Sequence, residues 1–135
     1  MPEKKSTKIG TIGIDTSFLI DFFQGESEAV EFMKNNLFTL RINELIVYEF
    51  LCGNLSSNDE NLFLKAIQSI PSLEFKRESS LFSSKFFRDG RKSGKTLGHQ
   101  DCMIAGCYFS HGVSKIVTRN VKHFSNIKEI EVIEY

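Results

Sequence analysis

The chain has 135 residues, the size of one ordinary domain, with 41% hydrophobic and 25% charged residues. Seventeen Lys and Arg are matched by seventeen Asp and Glu, which excludes a chain-wide electrostatic attraction to nucleic acid or membranes. No apolar run approaches the roughly 18 residues that a membrane-spanning helix needs.

In chain order, a polar tail over residues 1–8 contains no secretory apolar stretch. "TIGID" (11–15) then predicts a short buried strand. Ser17 is the expected cap of a helix carrying Phe18, Leu19, Phe22 and Phe23 and stopped near Gly25, and Ser27 opens a second helix. "LFTLRI" (37–42) predicts a second strand, although Ile42 suits the start of the next helix equally well. Asn43 is a good cap for "ELIVYEFLC", which Gly53 ends. "SSNDE" reads as a turn, and Leu62 to Ile70 as a helix stopped by Pro71. "LEFK" (73–76) predicts a third strand, followed by a long helix that ends around Gly90 to Gly94. "QDCMIAGCYFSHG" is helical with Gly112 as its stop, while "KIVT" (115–118) and "EVIEY" are the last two strands.

This alternation predicts one α/β domain, a three-layer sandwich whose central, mainly parallel sheet of four to five short strands is flanked by helices. In such sheets the working groups gather at the carboxyl ends of the strands. Cys52, Cys102 and Cys107 form no CxxC pair, and buried free thiols are expected, in keeping with a cytoplasmic protein. Thirteen Phe is a high number, which suggests that some lie on an exposed apolar face used by a partner or a second copy.

Three acids stand where fold alone asks for apolar groups. Asp15 ends the first strand, Glu49 follows Leu45 and Ile46 at helical spacing, and Asp101 precedes Ile104 and Ala105 in the same way. Each has a purely structural alternative: Asp15 as a helix cap, Glu49 reaching to solvent, Asp101 complementing a helix dipole. Carboxylates gathered in one place repel each other, and a hard divalent cation with oxygen ligands is the simplest counter-charge. Asp21, six residues after Asp15, is expected to face solvent, so that Asp21→Asn leaves activity nearly unchanged. A local basic run, Lys85, Arg88, Arg91, Lys92 and Lys95 against Asp89 alone, is the best candidate for a nucleic-acid patch, with a solvated helix end as its plain reading.

"IGIDTSFLIDFFQGE", "INELIVYEFLCGN", "GKTLGHQDCMIAGCYFSHG" and "KIVTRNVKHFSNIKEIEVI" resemble, in order, the four signature blocks of the PIN-domain family, and the compact length is most similar to its VapC branch, the toxin ribonucleases of toxin–antitoxin pairs. The resemblance implies a PIN-like fold, Mg²⁺ or Mn²⁺ held by Asp15, Glu49 and Asp101, and cleavage of RNA phosphodiester bonds. It also implies a homodimer and a VapB-like antitoxin partner. The last block departs from the pattern, because Asn120 and His123 stand where the family offers another acid. One firmly held ion is therefore expected, with a second bound only alongside substrate phosphate or not at all. Asn120 joins the catalytic set as a neutral oxygen, Thr118 or Asn120 would position the nucleophile or a ligand, and Thr118, Arg119, Lys92 and Lys95 are the candidate substrate contacts. The rival readings are a PIN-fold module that binds RNA or protein with little turnover, and a phosphoacceptor domain, which lacks the adjacent acid pair and the late Lys it requires.

Overall fold

The structure is a computed structural model that describes residues 7–135, and the expected polar tail lies outside the described residues apart from Thr7 and Lys8. Five parallel strands form the central sheet: β1 (Thr7–Ile14), β2 (Asn36–Asn43), β3 (Ser72–Leu73), β4 (Lys115–Val117) and β5 (Glu131–Ile133), in the spatial order β3-β2-β1-β4-β5. The helices between them are α1 (Thr16–Phe23), α2 (Ser27–Asn35), α3 (Glu44–Leu51), α4 (Ser57–Ser69), α5 (Arg77–Lys92), α6 (His99–Ser110) and α7 (Val121–Phe124).

The chain runs outward from β1 twice, first to β2 and β3, later to β4 and β5. Right-handed crossovers put α1–α4 on one face of such a sheet and α5–α7 on the other. The aromatic contacts follow that division. Phe18, Phe23, Phe32, Phe50 and Phe63 pair among themselves, as do Phe82, Phe86 and Phe109. Between the layers lie the fully buried strand residues Ile12, Ile14, Ile42, Ile116 and Val117. The strand order reverses direction between β1 and β4, and a crevice opens where their carboxyl ends part.

Two close approaches set the position of α6. A Cβ on Gly13 would lie 2.6 Å from carbons of the Tyr108 ring, so only glycine lets α6 rest on β1 there. The Tyr108 hydroxyl donates to the Ile14 carbonyl at 2.5 Å, next to Asp15. Gly106 similarly admits Ser83 of α5, whose Oγ would stand 2.0 Å from an added Cβ.

Several expectations are corrected. β1 begins at Thr7, four residues earlier than "TIGID", whereas Ile42 lies in β2 as the strand reading of 37–42 has it. "SSNDE" is the first turn of α4 rather than a connecting turn, because the Ser56 hydroxyl accepts the Asp59 N–H at 3.1 Å and starts the helix. β3 is reduced to Ser72–Leu73, a short edge strand beside β2. The single-turn helix α7 was not anticipated from the sequence. Among the described residues Phe22 is the only exposed Phe, so the excess phenylalanine fills the two aromatic layers instead of forming an outer face. Cys102 and Cys107 are buried as expected, but Cys52 is exposed just beyond α3.

Candidate active site

Asp15 leaves β1 directly into α1 and occupies the N-cap position, yet its side chain caps no backbone N–H. Its carboxylate turns sideways to β4. The Thr118 hydroxyl donates to Asp15 Oδ2 at 2.7 Å and the Ser17 hydroxyl donates to the same oxygen at 3.2 Å. Asp15 is 5% exposed and Thr118 fully buried, so this is a charged acceptor held by two hydroxyls in a nearly dry setting. Thr118 in turn accepts the Asn120 N–H at 2.9 Å, and Ser17 accepts the Arg119 N–H at 3.1 Å. The loop after β4 is thereby tied to the loop after β1. These bonds argue against the structural reading of Asp15 as a helix cap.

Glu49 comes from α3 and is half-buried. Thr16 donates to its Oε2 at 2.6 Å and Gln100 to its Oε1 at 2.5 Å, which bridges α1, α3 and α6. Asp101, in the first turn of α6, has its Oδ1 3.6 Å from His123 Nδ1. Asp15, Glu49, Asp101, Asn120, His123 and Arg119 line one open cleft of about 320 Å³. Burial pushes the Asp101 carboxyl above its ordinary value, the charges of Asp15 and Glu49 push it the same way, and His123 opposes them.

The remaining candidates fall elsewhere. Lys92 and Lys95 line a separate groove of about 460 Å³ with Lys85, Asp89, Lys128 and Glu129, while Arg88 and Arg91 border another with Phe87 and His99. The basic run is thus split between two surfaces, and neither includes the acids. Thr118, expected either at the substrate or positioning the nucleophile or a ligand, is fully buried and donates to Asp15. Asp21 does not face solvent: it is 4% exposed, accepts Arg119 Nη1 at 2.6 Å on Oδ1 and the Tyr135 hydroxyl at 2.5 Å on Oδ2.

Comparison with known proteins shows the family of the chain. Ribonuclease VapC3 from Methanocaldococcus jannaschii is 30% identical over 96 residues, 71% of this chain and 96% of that protein. The chain belongs to the VapC-type PIN-domain family. Ribonuclease VapC1 from Rickettsia felis is a further VapC relative, 28% identical over 127 residues that cover 89% of this chain and 92% of that one. No family model matches the chain. Among solved structures, VapBC-1 from nontypeable Haemophilus influenzae overlays with a TM-score of 0.75 at 18% identity, over 92% of this chain and 97% of that one. A toxin–antitoxin complex from Klebsiella pneumoniae gives 0.73 at 21% identity, over 90% and 95%. At such identities the overlays speak for the fold.

VapC-type proteins are expected to hold a divalent metal, so the fit of these residues to one matters. Among the described residues no three His, Cys, Asp or Glu side chains are gathered closely enough to hold an ion as they stand. The hydrogen bonds explain the spacing: Glu49 has both oxygens engaged by Thr16 and Gln100, and Asp101 leans to His123. The donor chemistry nevertheless fits. Among the described residues Asp15 Oδ1 and Asp101 Oδ2 accept no hydrogen bond, and the charge repulsion felt by Asp101 is what a cation relieves.

The sequence reading missed Thr16, Ser17, Gln100, Asp21 and Tyr135. Asp21 carried a weaker form of the signal that singled out Glu49, since it follows Phe18 by three residues as Glu49 follows Ile46.

Proposed function

We propose that this VapC-type chain is a divalent-metal-dependent endoribonuclease, the toxin of a toxin–antitoxin pair. The observation that carries the reading is the meeting of Asp15, Glu49 and Asp101 in one cleft at the carboxyl ends of β1 and β4. The naming of its relatives as ribonucleases supports it. Asp15 and Asp101, each with a free carboxylate oxygen, would hold Mg²⁺ or Mn²⁺, and Glu49 would complete the acidic set. When bound, such an ion supplies a water of lowered pKa and stabilises charge on the phosphorus under attack. The protein's own part is orientation. Thr118 and Ser17 fix the Asp15 carboxylate, Thr16 and Gln100 fix Glu49, and the exposed Asn120 offers a neutral amide at the rim. Arg119 is the cation placed to meet an RNA phosphate, whereas Lys92 and Lys95 serve at most a distant stretch of RNA.

A VapB-like antitoxin would silence the cleft. A groove of about 270 Å³ formed by Ile20, Phe23, Phe50 and Leu55 shares Ile20 and Glu49 with the cleft and offers apolar purchase for such a segment. A homodimer and a cytoplasmic location complete the reading. The second reading, a binding module with little turnover, draws on one observation: His123 stands 3.6 Å from Asp101 where a further acid is expected.

The test uses the purified chain, free of partner, with single-stranded and structured RNA in Mn²⁺, Mg²⁺ or EDTA. Metal-dependent cutting that disappears in Asp15→Asn and in Asp101→Asn is the expected result. Cutting that persists in both variants would refute the site. Metal binding by calorimetry without cutting would favour the binding module.

A further inference from the structure

Arg119 raises a question that the ribonuclease reading leaves open. The cleft it borders holds three carboxylates, and a free guanidinium there would be drawn onto them, in competition with any cation. The structure prevents this by holding Arg119 at two points. Its N–H donates to Ser17 Oγ at 3.1 Å, and its Nη1 donates to Asp21 Oδ1 at 2.6 Å. The Asp21 side chain is 6% exposed and that of Arg119 58%, so a buried acid grips a surface cation by one donor and leaves the other donors of the fork in the open. Asp21 is fixed in turn by the Tyr135 hydroxyl on its second oxygen, and the Tyr135 ring packs edge-on against Phe18 at 5.0 Å between centroids. Burial, reinforced by Asp21, raises the Tyr135 hydroxyl well above its ordinary value, so it remains a donor.

A half-buried ion pair of this kind contributes little stability, and an apolar pair of similar volume would serve a purely structural need as well. We propose that Asp21 and Tyr135 are a positioning pair that fixes the Arg119 guanidinium at the rim of the acidic cleft, where it contacts a phosphate of bound RNA. The inference rests on the ribonuclease reading above and extends its site by two residues. It reverses the expectation that Asp21→Asn is neutral.

The charge change makes the test decisive in sign. Asp21→Asn removes a negative charge beside the RNA path, so electrostatics alone predicts tighter binding, whereas lost positioning predicts weaker binding. Binding of a short fluorescent single-stranded RNA is measured by anisotropy in EDTA, where no cutting occurs, across a salt series. Wild-type cleavage in Mn²⁺ is measured alongside. Arg119→Ala is expected to weaken binding about tenfold and to flatten the salt slope by about 0.7. Asp21→Asn should weaken it severalfold, and Tyr135→Phe, which keeps the ring and its packing, by a smaller factor. In the Arg119→Ala background neither change should weaken it further. Thermal melts confirm that each variant is folded. Unchanged or tighter binding by folded Asp21→Asn, or an equal loss in the Arg119→Ala background, overturns the positioning role while leaving the ribonuclease intact. A wild-type chain that neither binds nor cuts RNA overturns both.

Discussion

Thr118→Val tests how the cleft is built, because the substitution keeps the shape of a fully buried side chain and removes only its hydroxyl. That hydroxyl makes a 2.7 Å bond to the Asp15 carboxylate and accepts the Asn120 N–H at 2.9 Å. A hydrogen bond to a charged group contributes about 1.5–3 kcal/mol, and the Asn120 N–H, on an exposed residue, recovers most of its loss from water. Asp15 is 5% exposed and has no comparable substitute donor, since Ser17 already donates to the same oxygen. The expected loss is therefore about 2–3 kcal/mol, or roughly a 7–10 °C fall in melting temperature for a chain of 135 residues. Cleavage should fall by at least about tenfold, since a misdirected ligand costs catalysis even where the fold survives. Thr118→Ser, which retains the hydroxyl and loses a methyl, should keep most of the activity despite some loss of stability. Urea melts and initial cleavage rates measure the two effects separately. A Thr118→Val protein within about 0.5 kcal/mol of wild type that cuts RNA at the wild-type rate would refute the claim that Thr118 orients Asp15.

Asp101→Asn separates stability from function. Its folded pKa is raised by burial and by Asp15 and Glu49, so the folded chain binds more protons than the unfolded one between the ordinary value near ~3.9 and the raised one, and stability falls as pH rises through that window. The variant should therefore be more stable than wild type in EDTA at neutral pH and lose the advantage in acid, while cutting no RNA; urea melts at both pH values check the sign. Gly13→Ala places a methyl 2.6 Å from the Tyr108 ring and should cost about 2–3 kcal/mol, read by thermal melting. Cys102 and Cys107 are buried with thiols pushed up to about 11, mainly by that burial, whereas Cys52 is exposed, so a thiol reagent should titrate one group quickly in the native protein and three after denaturation.

What the sequence revealed, and what it hid, follows from the range of the interactions concerned. The parallel α/β sheet was legible because strand–helix alternation is written locally. So was the Asn43 cap, whose side chain accepts the Ile46 N–H at 3.1 Å, three residues away. Asp15, Glu49 and Asp101 could be singled out individually because each interrupts an apolar pattern that its own helix or strand imposes. The start of α4 was misjudged because Ser, Asn and Asp serve turns and helix caps equally well, and "SSNDE" contains all three. The basic run misled for a different reason: at helical spacing, Lys85 and Lys92 point to one groove and Arg88 and Arg91 to another, so nearness in sequence divided the charges instead of pooling them.

Asp21 shows where local reasoning ends. Its partners are 98 and 114 residues away, and no period within α1 distinguishes an acid that reaches water from one that reaches Arg119 and Tyr135. Glu49 and Asp21 each stand three residues after an apolar side chain of their own helix, Ile46 and Phe18. Judged by burial cost alone, the two acids stood on equal terms, and a charged group on an apolar face requires a partner in either case. Asp15, at the N-cap of α1, and Asp21, within that helix, face different tasks: one turns to Thr118 and the cleft, the other to the arginine that guards its rim. Both lead to the loop after β4, through Thr118 in one case and Arg119 in the other. That loop carries Asn120 and leads into α7 with His123, so Asp15 and Asp21 together hold in place the segment that brings both side chains to the cleft.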